Sequence, residues 1–286
     1  MNKKEFCLLI EEWNKYLFES SYYTSNISSE LVKDLFESCQ DLYNKLKEKN
    51  EEKYFHWYIT KEMEKVANKH NLSGASIKGG YRLVYSSPNE DWVLKIAKNL
   101  DGAMLLGREV EISKGKHGLG ARNYFTRIYD WDGKEEERKG EWRHCYWIIS
   151  EKVIPLRDIK DIDILKRVFP TFWNAIEDED KKDISSIRFL AIISKVLKDL
   201  VLDIKRDKKQ GEIIPKFSKF SFYNSLENHI KVKNYNEIFF DEDIKVFMKM
   251  FSYIQTNDIN PNNFGIVDLE SPTPDGIRIL DFDITI

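Results

Sequence analysis

The sequence is short of the residues that build disulfide frameworks and zinc sites. It has only three cysteines in 286 residues, Cys7, Cys39 and Cys145, which are odd in number and widely spaced. This pattern is typical of reduced thiols in a cytoplasmic protein and argues against a disulfide framework. No CxxC or HExxH motif occurs and the five histidines are dispersed, so a structural zinc ion is not expected.

Long apolar runs and an excess of one charge are also missing. No stretch reaches the length of a transmembrane helix, and the N-terminal residues run into the acidic pair Glu11-Glu12 without a long apolar segment. We therefore expect neither membrane association nor an ordinary signal peptide. Lysine and arginine number 45 against 48 aspartates and glutamates, a formal net charge of −3. This balance does not favour nucleic acid or an anionic membrane as the main partner.

What the sequence does contain is the composition of a packed globular protein. Hydrophobic residues make up 42% of it and aromatic residues 13%, which argues against disorder. Its length suffices for one large or two modest domains. The apolar patterns divide it into three parts: helices over 1–72, mainly strands over 73–153, and mainly helices over 154–286.

Apolar residues at helical spacing predict the helices. In the first part they recur over 6–17, 31–46 and 54–67, and Ser28 and Ser29 are candidate caps of the second helix. In the last part the strongest helical patterns cover 184–202 and 242–254. We expect the N-terminal helices to serve in packing.

Between residues 74 and 153 the pattern changes to strands. Residues 75–85 and 92–97 flank a Ser-Ser-Pro-Asn turn, which predicts a hairpin. A helix is expected over 102–114, and two further strands near 121–131 and 142–153 are separated by a polar turn. The predicted order is five strands interrupted by one helix, then helices, then a small terminal hairpin.

Two segments near the C-terminus carry the clearest chemical signal. In Asp258-Ile-Asn-Pro-Asn-Asn263-Phe-Gly-Ile-Val267 an asparagine follows an aspartate by five residues, and Ile277-Arg-Ile-Leu-Asp281-Phe-Asp283 is a strand that ends in aspartate. Kinase-like enzymes use this arrangement to hold a phosphate donor, Mg²⁺ and a hydroxyl acceptor, because carboxylate and amide oxygens are the ligands that Mg²⁺ prefers. The alternative is a surface turn whose side chains cap their own backbone.

Together with this tail, the order of elements over residues 74–286 resembles the protein-kinase-like fold. Ile77-Lys-Gly79-Gly80-Tyr-Arg-Leu-Val84 is similar to a degenerate glycine-rich loop, with Gly79 at the central glycine and Val84 at the terminal valine. The resemblance implies that the backbone around Gly79 and Gly80 approaches the phosphates. Glycine is also common in hairpin turns, which is the alternative.

Val93-Leu-Lys95-Ile-Ala97 resembles the third strand of a kinase, whose lysine neutralises the donor phosphates. A lysine between leucine and isoleucine also suits the outward position of an edge strand. In the family a glutamate of the following helix pairs with this lysine. Helical spacing places Glu109 with Leu105 and Ile112 and turns Glu111 towards water, so Glu109 is the expected partner and Glu111 the reserve.

The segment Tyr146-Trp-Ile-Ile-Ser150-Glu-Lys-Val153-Ile-Pro-Leu156 resembles the fifth strand and the hinge of a kinase. The resemblance implies that backbone groups of Glu151 and Val153 contact the adenine edge and that Ser150 is a small residue beside the base. The alternative is a buried strand that ends at a proline turn.

The resemblance implies an α+β bilobal fold. Residues 73–153 would form an N-lobe of five antiparallel strands and one helix, residues 154–286 an abbreviated, mainly helical C-lobe, and residues 1–72 an N-terminal helical extension. It also implies ATP and Mg²⁺ as ligands and transfer of the γ-phosphoryl group to a hydroxyl, on a protein substrate. In this scheme Asp258 orients or deprotonates the acceptor, and Asn263 and Asp281 bind Mg²⁺. Bacteriophage-encoded kinases have similarly abbreviated motifs, which suggests a place among them.

Departures from the family pattern favour a second interpretation. Thr256-Asn257 replaces His-Arg before Asp258, Asn260 replaces a lysine, and Asp283 stands where glycine is usual. The sequence ends at Ile286, where an activation segment would follow. These features suit a nucleotide-binding pseudokinase that acts as a regulatory or interaction module. A small-molecule phosphotransferase like the aminoglycoside kinases would have a histidine shortly before Asp258, and none is present.

Overall fold

The computed structural model describes residues 27–75, 81–86, 91–113, 124–132, 144–209, 218–253 and 263–280. The chain divides into two compact units. The first contains Met1–Lys114 and Arg127–Lys152, and the second contains Gly115–Thr126 and Val153–Ile286. The predicted helical segment 1–72 thus falls in the same unit as the strands.

The first unit is built, within its described residues, from three α-helices and one antiparallel sheet of five strands in the order β1-β2-β3-β5-β4. The elements are α1 (Ser29–Glu48), α2 (Phe55–Lys69), β1 (Ser73–Ala75), β2 (Arg82–Ser86), β3 (Trp92–Ala97), α3 (Leu100–Ser113), β4 (Ile128–Trp131) and β5 (Trp147–Glu151). The α+β class and the five-stranded antiparallel sheet that the sequence predicts are therefore confirmed.

Helices α1 and α2 cover one face of this sheet. Ser28 starts α1, because its hydroxyl accepts a hydrogen bond from the Leu31 N–H at 3.4 Å. The ammonium of Lys69 and the imidazole of His70 contact the Asp34 carboxylate at 2.7 Å and 2.6 Å, which ties α2 to α1. The buried members of this layer include Leu31, Leu35, Ile59, Met63, Leu94, Ile96, Trp147 and Ile149.

Helix α3 covers the opposite face. Its buried residues pack on alternate residues of β3 and β5, and the cluster consists of Ala97, Ala103, Leu106, Val110, Cys145 and Ile148. The sheet is therefore the middle of three layers, and every residue of β3 is buried. This explains why β3 is apolar at five of its six positions instead of alternating with polar residues.

The second unit is mainly helical. Its described elements are β6 (Ile154–Pro155), α4 (Ile162–Val168), α5 (Pro170–Ala175), α6 (Asp178–Lys181), α7 (Ser186–Lys209), α8 (Lys219–Glu227), α9 (Glu242–Tyr253), β7 (Phe264–Ile266) and β8 (Ile277–Ile279). The three strands form a small antiparallel sheet in the order β6-β7-β8.

Aromatic rings fill the core of this unit. Phe169 stacks on Phe247 with ring centroids 5.8 Å apart, and Phe172 meets Phe222 edge to face at 5.1 Å. A buried aspartate joins two helices beside them: Asp243 of α9 accepts hydrogen bonds from the Thr171 hydroxyl at 2.7 Å and from its N–H at 3.1 Å. Asp243 thereby caps the first turn of α5 from a distant part of the chain.

Most of the predicted helices and strands are present, but they begin and end at other residues than predicted. The helices expected over 31–46, 54–67, 102–114, 184–202 and 242–254 correspond to α1, α2, α3, α7 and α9. The single strand expected over 75–85 is wrong, since Ser73–Ala75 and Arg82–Ser86 are separate strands. Within the described residues, the strand expected near 121–131 covers Ile128–Trp131, and the one expected near 142–153 covers Trp147–Glu151. The helix predicted over 6–17 lies outside the described residues.

Candidate functional site

A buried ion pair in the first unit joins the central strand to the helix on its face. The Lys95 ammonium lies 2.7 Å from the Glu109 carboxylate oxygen Oε2. Both residues are only 6% exposed, which is unusual for lysine and glutamate unless they are paired. The predicted contact between Lys95 and Glu109 is therefore confirmed, while its role in binding phosphate stays a prediction.

Arg82 is a second cationic partner of the same carboxylate. Its guanidinium nitrogen Nη1 contacts Glu109 Oε1, so each carboxylate oxygen receives one cation. The Arg82 side chain is 12% exposed. Arg82 pairs with Ala97 across β2 and β3, and Ala97 packs against α3, which places Arg82 on the same face of the sheet as Lys95.

The charge of Glu109 is maintained by these two cations. Burial acts to raise the pKa of the Glu109 carboxyl, but the positive charges of Lys95 and Arg82 and their hydrogen bonds outweigh it. The pKa therefore lies below its ordinary value, and Glu109 is ionised at neutral pH. An ionised Glu109 can fix the position of the Lys95 ammonium.

The register of the sheet decides which face Lys95 occupies. Lys95 pairs with Val84 of β2 and with Ile148 of β5, so these three side chains lie in one row on the α3 face. The neighbours Leu94 and Ile96 point to the α1 and α2 layer. The edge-strand alternative is wrong for Lys95, since β3 lies inside the sheet between β2 and β5.

Helix α3 turns Glu109 towards the sheet. Glu109 is next to Val110 and one turn after Leu106, and both of these residues are buried against the sheet. Glu111 is half-buried and not turned fully to water, so that part of the prediction was too strong. The choice of Glu109 over Glu111 nevertheless agrees with the contact that Glu109 makes with Lys95.

The N-terminus of α3 lies against the residue that precedes β2. The Asn99 side chain accepts a hydrogen bond from the Gly102 N–H at 2.9 Å and caps the helix. The Tyr81 carbonyl accepts a hydrogen bond from the Lys98 N–H at 2.9 Å. A methyl group at residue 102 would overlap the same carbonyl oxygen, which explains the glycine there. Gly79 and Gly80, the predicted phosphate-loop glycines, lie outside the described residues.

The predicted adenine-contact residues lie at the end of β5 and just after it. Ser150 is fully buried and pairs with Val93, and its hydroxyl has no hydrogen-bond partner within the described part of the chain. The Glu151 N–H donates to the Arg127 carbonyl at 2.8 Å. An adenine contact at Glu151 would therefore have to use its carbonyl oxygen. Val153 belongs to the second unit and is half-buried.

In the second unit, the predicted metal ligand Asn263 lies directly before β7. The Asn263 carbonyl accepts a hydrogen bond from the Leu280 N–H at 2.8 Å, at the end of the hairpin where Asp281 follows Leu280 in the chain. A Cβ at Gly265 would lie 2.7 Å from the Ile154 carbonyl oxygen, so the glycine lets β6 pair closely with β7. Asp258 and Asp281 lie outside the described residues.

The donor set of this predicted metal site suits Mg²⁺, because an asparagine amide and an aspartate carboxylate both offer hard oxygen atoms. Among the residues that the structure describes, no group of three or more histidines, cysteines, aspartates and glutamates could hold a metal ion. In the same part of the chain, no helix is long and apolar enough to cross a membrane.

No family model, curated protein or solved structure matches the chain. Function must therefore be inferred from the chemistry of its own residues.

The sequence reasoning did not identify Arg82 as part of this cluster. A signal was present, since Arg82 and Val84 are two residues apart and share a strand face. Recognising it required the pairing of Val84 with Lys95, which only the sheet register shows.

Proposed function

We propose that the protein is an ATP- and Mg²⁺-dependent phosphotransferase of the protein-kinase-like type, which transfers the γ-phosphoryl group to a hydroxyl of a protein. The observation that carries this proposal is the buried contact between Lys95 of β3 and Glu109 of α3. The strand–helix order in which the two residues occur, within a five-stranded antiparallel sheet, is the one that the resemblance implies.

In this proposal Lys95 neutralises the donor phosphates. Glu109 fixes the ammonium, so that little reorganisation is needed when the phosphate binds. The row formed by Val84, Lys95 and Ile148 supplies an apolar surface on both sides of the charge. The adenine edge contacts the Glu151 carbonyl and the Val153 backbone, beside Ser150.

The second unit supplies the acceptor and metal groups. Asp258 accepts the proton of the attacking hydroxyl and orients its oxygen. Asn263 and Asp281 provide oxygen ligands to Mg²⁺, which when bound neutralises charge on the phosphates. We also propose the bilobal arrangement, a cytoplasmic location and a relation to bacteriophage-type kinases, which have similarly abbreviated motifs.

Nucleotide binding is tested by the melting temperature with and without MgATP. Ligand at ~100 times its dissociation constant adds about 2.7 kcal/mol to the free energy of unfolding, a readily measured shift. We expect Asp281→Asn to reduce this MgATP-dependent shift more than it lowers the melting temperature of the free protein. Equal shifts for the two proteins would remove Asp281 from the metal site.

Catalysis is tested by incubating the protein with labelled ATP, Mg²⁺ and a lysate of its natural host. We expect Asp258→Asn to lower labelling by roughly 10²-fold or more and to leave MgATP binding intact. Labelling of the same bands at the same intensity by both proteins would contradict the phosphotransferase function.

A nucleotide-binding pseudokinase is the second candidate function. The replacement of a lysine by Asn260 favours it, since a cation that stabilises the transferring phosphoryl group is lost. On this candidate, wild-type protein and Asp258→Asn both bind MgATP and neither labels a protein.

A further inference from the structure

We propose that Arg82 is a second phosphate-binding cation, held beside Lys95 by their shared partner Glu109. This inference rests on the proposed function, because it assigns Arg82 to the same donor phosphates. It gives a role to a residue that has none in the sequence motifs or in the predicted lysine–glutamate pair.

The contacts of Glu109 place the two cations side by side. Arg82 contacts Oε1 and Lys95 contacts Oε2 at 2.7 Å, so a single carboxylate separates a guanidinium from an ammonium. Two positive charges that contact the same carboxylate repel each other, and the negative charge of Glu109 offsets the repulsion. A phosphate beside both cations would lower the repulsion further.

The backbone holds Arg82 in a fixed position. The carbonyl of Tyr81, the preceding residue, accepts a hydrogen bond from the Lys98 N–H and lies close to Gly102 in α3, and these two contacts restrict its position. On its other side, the pairing of Val84 with Lys95 fixes the register of β2. Arg82 also follows Gly80 by two residues, so it lies within the segment 77–84 that resembles a glycine-rich loop.

The chemistry of arginine suits this role. A guanidinium presents five N–H donors in a planar fork that can bind two oxygens of one phosphate, whereas an ammonium acts as a point charge. The side chains of Arg82 and Lys95 are 12% and 8% exposed. Low exposure reduces screening by water and strengthens their attraction for an anion.

Binding calorimetry with MgATP and with adenosine tests the inference. We expect Arg82→Gln to lower the affinity for MgATP about tenfold or more, the usual effect of losing a hydrogen bond to a charged group. The affinity for adenosine, which has no phosphate, should not change. Arg82→Lys keeps a cation without the fork and should lose less than Arg82→Gln. Arg188→Gln, a change at an exposed residue of α7, is the matched control and should change neither affinity.

A double-mutant cycle separates direct binding from an effect through Glu109. If Arg82 only held Glu109 in place, Arg82→Gln would change nothing once Glu109 was replaced by glutamine. We expect the Arg82→Gln, Glu109→Gln double variant to bind MgATP about tenfold more weakly than Glu109→Gln alone. Equal affinities of these two variants would overturn the inference.

The remaining outcomes are also decisive. An unchanged ratio of MgATP to adenosine affinity in Arg82→Gln overturns the role of Arg82 and leaves the proposed function standing. If the wild-type protein binds neither MgATP nor adenosine, both the role of Arg82 and the proposed function are overturned. If Arg82→Gln does not fold, the ratio in folded Arg82→Lys decides, with a reduced ratio supporting the inference and an unchanged ratio overturning it.

Discussion

At the scale of single residues, the molecule places two carboxyl groups, those of Glu109 and Asp243, in buried positions of low dielectric constant. Glu109 has a cation on each carboxylate oxygen, and Asp243 accepts three hydrogen bonds with no exposed surface. Each carboxyl therefore has a large effect on stability if it is changed. The two differ in the sign of their pH dependence, because only Glu109 has cationic partners.

We expect Glu109→Gln to destabilise the protein by about 3 kcal/mol or more, because it removes the negative charge that both buried cations contact. Denaturant unfolding at neutral pH measures this. Glu111→Gln is the matched control on the same helix, and its cost should be smaller since Glu111 is half-buried. The pKa of Glu109 is lowered, so the difference between wild type and Glu109→Gln should shrink as the pH falls through that pKa. A larger effect of Glu111→Gln would contradict the assignment.

Asp243 predicts the opposite pH dependence. Burial raises the pKa of its carboxyl to about 6, despite the hydrogen bonds from Thr171 and from the Ile244 N–H. As the pH falls from about 6 towards the lower pKa that Asp243 has in the unfolded chain, the folded state binds a proton that the unfolded state does not. The contribution of Asp243 to stability therefore increases as the pH falls through this range.

Unfolding free energies at pH 7 and pH 5 measure this effect. Wild type should gain stability relative to Asp243→Asn at the lower pH. Asp183→Asn, a change at an exposed residue, is the control. If wild type shows no such gain, Asp243 stays ionised in the folded protein over this pH range and the raised pKa is contradicted.

At the scale of elements, the close approach of α3 to the start of β2 sets the geometry of the cluster. Gly102→Ala should push α3 away from Tyr81 and destabilise the protein by about 1–3 kcal/mol, because a backbone carbonyl cannot move aside easily. It should also weaken MgATP binding, since Arg82 and Glu109 lie on the two displaced elements.

Gly276→Ala is the matched control. A Cβ there would meet its nearest neighbours only at 3.8 Å and 3.9 Å, which are ordinary contacts. Melting temperatures and MgATP affinities of both variants check the prediction. Equal effects of the two changes would mean that the approach of α3 to Tyr81 is unimportant.

The sequence predicts elements better than it predicts their contacts. Apolar spacing identified α1, α2, α3, α7 and α9, and it chose Glu109 correctly because a helical period places residues on one face wherever the helix packs. It did not show that β3 has a helical layer on both faces. The near-continuous apolar run of β3 contains that information, but only the pairing register separates Leu94 and Ile96 from Lys95.

At the scale of the whole molecule, residues 27–72 are more than an extension, since they form part of the first unit's core. Helices α1 and α2 cover Leu94, Ile96, Trp147 and Ile149, all fully buried. A chain that begins at residue 73 would expose this sheet face to water. We expect it to aggregate when expressed, because large exposed apolar patches drive association.

The soluble fraction and sedimentation of the shortened protein, compared with the full chain, measure this. A soluble, monomeric 73–286 chain that still binds MgATP would mean that the strands fold without their helical cover.

The three-layered sheet also constrains how relatives of this chain can differ in length. Adjacent residues of β3 face opposite layers, so inserting or deleting one residue before Lys95 within the strand would direct its charge into the apolar layer of α1 and α2. Only an insertion or deletion of an even number of residues inside the strand would keep Lys95 on the face where it contacts Glu109. Insertions and deletions among relatives should therefore occur in the loops between the strands. Relatives that keep the lysine should also keep the alternation of side chains along β3.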